Sequence, residues 1–292
     1  ASTGMSFSGD LEPPGPPEPT MKTLVDVEPR IPIYTEDLPL TITEPGSYYL
    51  AEDIETPGQG ITIEAEDVTI DLMGHALRGG VGTAILATAN GVTVRDGTVR
   101  GWSSHGIYLE AETLVSQVRS IDNGGMGIRV GWGSAVLESF AYYNDNDGIH
   151  LVQGLVRSCR ARLNQQNGIY AASSEMGSTM IIDCLAHDNT WNGVRVDGLA
   201  TVRGNQCSHN GYNGGALDKS GILVLGNGSR IEGNTLSLND GYGIRVEGAS
   251  NTVYRNAAHG NGKDAYWIGP WNDVGPIGNA HTATSPWANI NY

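Results

Sequence analysis

From residue 60 onward the chain repeats a short stroke of glycine, isoleucine, a variable residue and a second apolar residue. It reads Gly106-Ile107-Tyr108-Leu109, Gly127-Ile128-Arg129-Val130, Gly148-Ile149-His150-Leu151, Gly168-Ile169-Tyr170-Ala171, Gly193-Val194-Arg195-Val196, Gly221-Ile222-Leu223-Val224 and Gly243-Ile244-Arg245-Val246. Weaker copies, Gly60-Ile61-Thr62-Ile63 and Ala84-Ile85-Leu86-Ala87, extend the series upstream. Apolar, variable, apolar is the period-two pattern of a strand with one buried face. Successive anchors lie 24, 22, 21, 21, 20, 25, 28 and 22 residues apart, too irregular for a heptad but natural for turns of a solenoid that accepts loop insertions. Each step predicts one coil.

A second series keeps register with the first: Asn123, Asn144, Asn164, Asn189, Asn210, Asn239 and Asn261. Stacked Asn side chains can hydrogen-bond from coil to coil, and Asn tolerates left-handed backbone, so these residues are expected to mark corners. Three positions before each comes Ser120, Ala141, Ala161, Ala186, Cys207, Leu236 or Ala258, a small, mostly apolar row that predicts an inward-facing strand. Cys159 and Cys184 sit two positions further back, which stacks them on adjacent coils inside the core, about 4.8 Å apart. With Cys207 they are too few for a disulfide framework and lack the spacing of a zinc site.

These two ladders predict an all-β chain forming a right-handed parallel β-helix of about nine to ten coils. A sandwich of hairpins would need turn signals every 8 to 12 residues and no fixed register. The expected division is a Pro-rich linker over 1–20, an N-terminal cap leading into the first strand over 21–59, the β-helix over 60–264, and a C-terminal cap rich in Trp and Pro over 265–292. The stretch from Gly60-Ile61-Thr62-Ile63 through Val68-Thr69-Ile70-Asp71-Leu72-Met73-Gly74-His75 resembles the opening coils of bacterial right-handed parallel β-helix repeat proteins. The resemblance covers roughly residues 21–292 and implies a fold-level relation to pectate lyases and alginate epimerases. It carries no catalytic motif of either.

Composition sharpens the picture modestly. Gly, at 41 of 292 residues, is about twice its ordinary share, and Phe occurs only 2 times. A formal charge of −15 repels polyanions at long range, and no basic run offsets it, so nucleic acid is not an expected partner. No apolar run is long enough for a membrane span. The chain opens at Ala1, read as a mature or trimmed form of a secreted or cell-surface protein.

Within each tetrad the variable residue should face solvent, giving one column: Thr62, Leu86, Tyr108, Arg129, His150, Tyr170, Arg195, Leu223, Arg245. Tyr, Arg and His on consecutive coils suit stacking on sugar rings and pairing with carboxylates. Acids border the column at Glu110, Asp147, Asp197 and Glu247. The chemistry these residues suggest is removal of the proton next to a uronate carboxylate, as a polysaccharide lyase or uronate epimerase requires. His150 and Tyr170 are the candidate catalytic base and acid. Tyr108, Arg129, Arg195, Arg245, Asp147 and Asp197 are the candidate substrate-binding residues. Residues 172–179 and 211–220 are the longest insertions, expected to wall a groove near Tyr170 and Arg195.

Other readings stand beside this one. Outward sheet positions select Arg and Tyr for packing alone, and short turns suit a non-catalytic rod, an adhesin or fibre-like module that could be a homotrimer. No cofactor is expected, although Asn144-Asp145-Asn146-Asp147-Gly148 is oxygen-rich enough to leave a structural or catalytic Ca²⁺ open beside the simpler reading of a corner turn. His75, His105, His187, His209, His259 and His281 lack metal-site spacing and read as surface or corner residues. Arg157, Arg160 and Arg162 form a local basic group, either an anion contact or a solvated face.

Overall fold

The tetrads become the strands of one long sheet. Eleven three-residue strands stack in parallel from Leu40–Ile42 to Tyr266–Ile268, and the variable residues align throughout, Tyr108 beside Arg129, Arg129 beside His150, His150 beside Tyr170 and Tyr170 beside Arg195. In the tetrad strands the flanking apolar residues are buried and the central one is half-buried. The computed structural model describes residues 29–172, 177–211 and 219–292, so the stretch assigned to a linker and the start of the first cap lie outside the described residues. Residues 31–292 form one compact unit.

Most coils continue from the tetrad strand into two further strands, which run together as one in Thr93–Arg100 and Leu114–Ile121. In one coil these are Ser134–Leu137 and Phe140–Tyr142, each paired in parallel with its counterparts above and below. The result is a three-walled solenoid whose centre is filled by rows of like side chains, such as Ile107, Ile128, Ile149 and Ile169, all fully buried. Strands at Ile31–Ile33 and Gly46–Leu50 precede the first glycine tetrad, and Asn289–Asn291 closes the stack beside Ala257–His259. The expected inward row is also present: Ser120, Ala141, Ala161, Ala186, Cys207, Leu236 and Ala258 align and are buried.

The tetrad glycines answer a demand for space. A Cβ built on Gly127 would come within 2.6 Å of both the Gly148 carbonyl oxygen and Asn144 Nδ2, and one on Gly148 would meet the Gly168 oxygen at 2.7 Å. The next coil therefore excludes any side chain here.

The asparagines form an unbroken ladder. Each Nδ2 donates to the next Oδ1 at 2.9 Å, from Asn123 through Asn144, Asn164, Asn189, Asn210 and Asn239 to Asn261. The left-handed conformation at these corners is not taken by Asn. The residue before it takes it: Asp122, Tyr143, Leu163, Asp188, His209, Leu238 and Gly260 have φ of 54–60°. That turn swings the following Asn inward, where its amide replaces the backbone partners a corner would otherwise lose. A left-handed Tyr is strained by its Cβ, and Tyr143 is 55% exposed. Tyr143→Gly should therefore raise stability by about 0.5–1 kcal/mol in urea unfolding; a fall would mean that the phenol contributes packing that outweighs the strain.

A further ladder, absent from the expectations, occupies the corner between the second and third walls. Asn205, Asn234, Asn256 and Asn289 are bonded in series at 2.9–3.0 Å, and Cys184 N–H donates to Asn205 Oδ1 at 2.9 Å. Cys159 and Cys184 thus stand in the same column, free thiols buried on adjacent coils. Burial and the neighbouring thiol push the Cys159 pKa well up, so it stays neutral and inert.

Candidate functional site

The tetrad sheet presents its variable residues as one column, and two of its groups are held by carboxylates. His150 Nδ1 lies 3.2 Å from Asp147 Oδ2, while the other oxygen of Asp147 accepts from Asn167 N–H at 3.0 Å and Asn167 Nδ2 at 2.8 Å. Asp147 is 2% exposed, so its carboxylate is fixed from both sides. With Nδ1–H donated to Asp147, the lone pair of His150 sits on Nε2 and the ring is oriented for use as a base.

One coil along, Tyr170 meets the His150 ring edge-on, centroids 4.7 Å apart and planes at 78°. Its hydroxyl donates to Asp197 Oδ2 at 2.6 Å. Arg195 grips the same carboxylate twice, Nε to Oδ1 at 2.8 Å and Nη2 to Oδ2 at 2.9 Å, and its guanidinium lies over the Tyr170 ring at 4.9 Å. Burial first, and then the hydrogen bond to Asp197, push the Tyr170 pKa up to about 12. Because the folded protein holds this proton more tightly than an ordinary phenol of pKa 10.0, the contribution is whole below pH 10 and is lost as pH rises towards 12. Tyr170→Phe should accordingly lose less stability than the native protein between those limits, and its phenolate titration should lack one late group; identical alkaline profiles would show that Tyr170 ionises normally.

The remaining predicted residues lie on the same column but engage differently. Arg129 stacks on Tyr108, its guanidinium carbon 4.2 Å from the ring centroid, and reaches Glu110 only at 3.8 Å. Arg245 pairs with Glu247 at 2.6 Å and lies over Trp267 at 5.4 Å. Tyr108, Arg129, His150, Tyr170, Asp147, Asp197 and Arg195 are thus brought together on five consecutive coils, whereas Arg245 is separated from them by the apolar Leu223. Trp267 joins the column as its last member, a residue the sequence reading assigned to a cap. The 22-residue step from Gly243 to Ala265, which stands in the glycine position, was the available signal.

His105, expected at the surface or at a corner, lies beside the site. Its Nδ1 accepts from Met126 N–H at 2.9 Å and its ring stands 5.4 Å from Tyr108. Burial, then Arg129 and His150, lower its pKa, so it stays neutral near pH 7. Of the insertions expected to wall a groove, residues 173–176 and 212–218 lie outside the described residues.

The oxygen-rich stretch at 144–148 has most of its oxygens occupied by protein donors. Asn144 Oδ1 accepts from Asn123, Asn146 Oδ1 from Asp147 N–H, and Asp147 Oδ1 from Asn167. No group of three or more His, Cys, Asp or Glu placed to hold a metal occurs among the described residues.

Residues 83–221 match the family described as the right handed beta helix region. With its parallel stacked coils, the protein is a right-handed parallel β-helix. No curated protein matches it in sequence. Among solved structures it is similar to the A-module of a mannuronan C-5 epimerase of Azotobacter vinelandii, with 17% identity, a TM-score of 0.56, and 86% of this chain and 70% of that one covered. A second mannuronan C-5 epimerase A-module from that organism gives 18% identity, a TM-score of 0.56 and coverage of 80% and 77%. The enzymatically active domain of bacteriophage CBA120 tailspike protein 2 gives 13% identity, a TM-score of 0.54 and coverage of 84% and 41%. At such identities the likeness establishes the fold, and function has to be argued from the site.

Proposed function

We propose that this β-helix acts outside the cytoplasm on a uronate-containing polysaccharide laid along the tetrad face, and that it cleaves the chain by β-elimination. The observation that carries this reading is the Asp147–His150 pair, a base fixed by a buried carboxylate, with Tyr170 against it and Arg129 one coil away. Arg129 is the guanidinium of the central group least committed to a carboxylate, which suits it to the substrate's carboxylate. His150 Nε2 then takes the proton from C5, and Arg129 stabilises the charge that spreads onto the carboxylate. The C4–O4 bond breaks, a C4=C5 double bond forms, and the leaving oxygen takes the Tyr170 proton. A phenol of pKa about 12 suits an alkoxide, which is more basic still.

Spacing favours elimination over epimerisation. Inverting C5 requires a base and an acid on opposite faces of the sugar, and a ring held between two groups needs about 7 Å, two van der Waals contacts of 3.5–4 Å. His150 and Tyr170 are register neighbours on one sheet face, their ring centroids 4.7 Å apart, so both address the same side of a sugar laid along that face. Incubation with alginate, pectate and glycosaminoglycans should yield an unsaturated product absorbing in the ultraviolet. Inversion at C5 without chain cleavage would replace this reading by epimerisation, and no reaction on any of the polymers would end it.

A further inference from the structure

Arginines without counter-ions lie on a different wall of the solenoid. On the third wall of successive coils Arg119, Phe140 and Arg160 are register neighbours, with the two guanidinium carbons 5.7 and 5.4 Å from the Phe140 centroid. The adjacent outward row carries Arg100, Ile121, Tyr142 and Arg162. On the tetrad face Arg195 and Arg245 have carboxylates at 2.8 and 2.6 Å. Arg100, Arg119 and Arg160 have none within 4.0 Å among the described residues, although the chain's formal charge is −15. Of these four, only Arg162 has an acid in range among the described residues, Asp188 at 3.7 Å.

Stacking on Phe140 orders these guanidiniums while leaving their N–H groups unspent. Such an arrangement is prepared to receive oxyanions. Arg119 and Phe140 also border a surface hollow of about 540 Å³, whose lining includes Asp96, Gln117 and Glu138. Those side chains decide what kind of anion fits. Carboxylates need donors opposite them, which sugar hydroxyls supply and a phosphodiester backbone does not.

We propose that the Arg119–Phe140–Arg160 wall is a second, non-catalytic binding site for acidic polysaccharide, with sugar carboxylates or sulfates on the two guanidiniums and sugar hydroxyls on Asp96 and Glu138. The site shares no residue with the tetrad face and does not depend on the chemistry assigned there. Arg119 and Arg160 stand two coils apart, about 9.6 Å, so they clasp separate charges of one chain.

The test is affinity electrophoresis of the full chain through gels holding polygalacturonate, alginate, a sulfated glycan or neutral dextran, with single-stranded DNA as a competitor. The native protein should be retarded by at least one acidic polymer and not by dextran. The double variant R119Q/R160Q, altered only at exposed positions, should keep its circular dichroism and lose about tenfold in affinity. R119Q/R160Q should keep the native kcat on any polyuronate the protein cleaves, which separates this site from the tetrad face. Retardation unchanged in R119Q/R160Q, no retardation of the native protein, or displacement by DNA as readily as by the acidic glycan would each overturn the proposal.

Discussion

Asn189→Ala is expected to lower stability by about 3–4 kcal/mol. Asn189 is completely buried. Its Oδ1 accepts from Asn164 N–H at 3.2 Å and Asn164 Nδ2 at 2.9 Å, and its Nδ2 donates to the Ala161 oxygen at 3.1 Å and Asn210 Oδ1 at 2.9 Å. Alanine removes all four bonds at once. The Asn164 side chain keeps the Ala141 oxygen as a partner, but its backbone N–H loses its acceptor, and Ala161 loses the amide donor. Each buried group left unsatisfied costs roughly 1–3 kcal/mol. Because a solenoid coil touches only its neighbours, the damage falls on the coils bearing Ala161, Asn164 and Asn210. Urea unfolding should show the midpoint falling sharply, while exposed Gln165→Ala on the same corner stays within about 0.5 kcal/mol of the native protein. If the two variants unfold alike, the ladder contributes nothing net.

His150→Ala should lower kcat on the cleaved polyuronate by about 10²–10⁴-fold and leave KM nearly unchanged, since a general base acts in the transition state. Asp147→Asn is the sharper probe. Its amide can still serve Asn167 through the oxygen, but its nitrogen would face His150 Nδ1. A donor there forces the His150 proton onto Nε2, the nitrogen that has to accept. Loss of kcat comparable to that of His150→Ala, with unfolding unchanged, is the expected result. Full activity in both variants would remove His150 from the mechanism, and activity lost together with fold stability would make Asp147 a purely structural residue.

Much of the architecture could be read from the amino acids because a solenoid repeats its constraints. Gly, Ile and Asn recur at one place in most coils, so the column from Thr62 to Arg245, the Asn123–Asn261 ladder and the inward row from Ser120 to Ala258 all follow from alignment of the sequence with itself. The ladder ending at Asn289 is hidden in the sequence because Ser139, Cys159 and Cys184 occupy its earlier coils, and asparagine takes the position only from Asn205 onward. Trp267 is hidden in the sequence because Ala265-Tyr266-Trp267-Ile268 lacks both the glycine and the following aliphatic residue of the tetrads.

The candidate site was legible only as a column. Which side chains would grip each other depends on rotamers, so the double contact of Arg195 with Asp197, the bond from Tyr170 to that same acid, and the fixing of Asp147 by Asn167 are invisible in spacing alone. The basic group at Arg157, Arg160 and Arg162 was visible, but its partition was not. Arg162 reaches Asp188, whereas Arg160 shares Phe140 with Arg119, a residue 41 positions earlier in the chain.

The regularity of the ladder makes a whole turn the natural unit of change in this molecule. Asn144 and Asn164 are separated by 20 residues and make equivalent bonds, so excising residues 144–163 would hand Asn123 directly to Asn164 and bring Arg129 alongside Tyr170. His150 would vanish without a gap. The register of the protein's surface chemistry can thus be shortened or lengthened in increments of about 4.8 Å while every remaining joint keeps its shape.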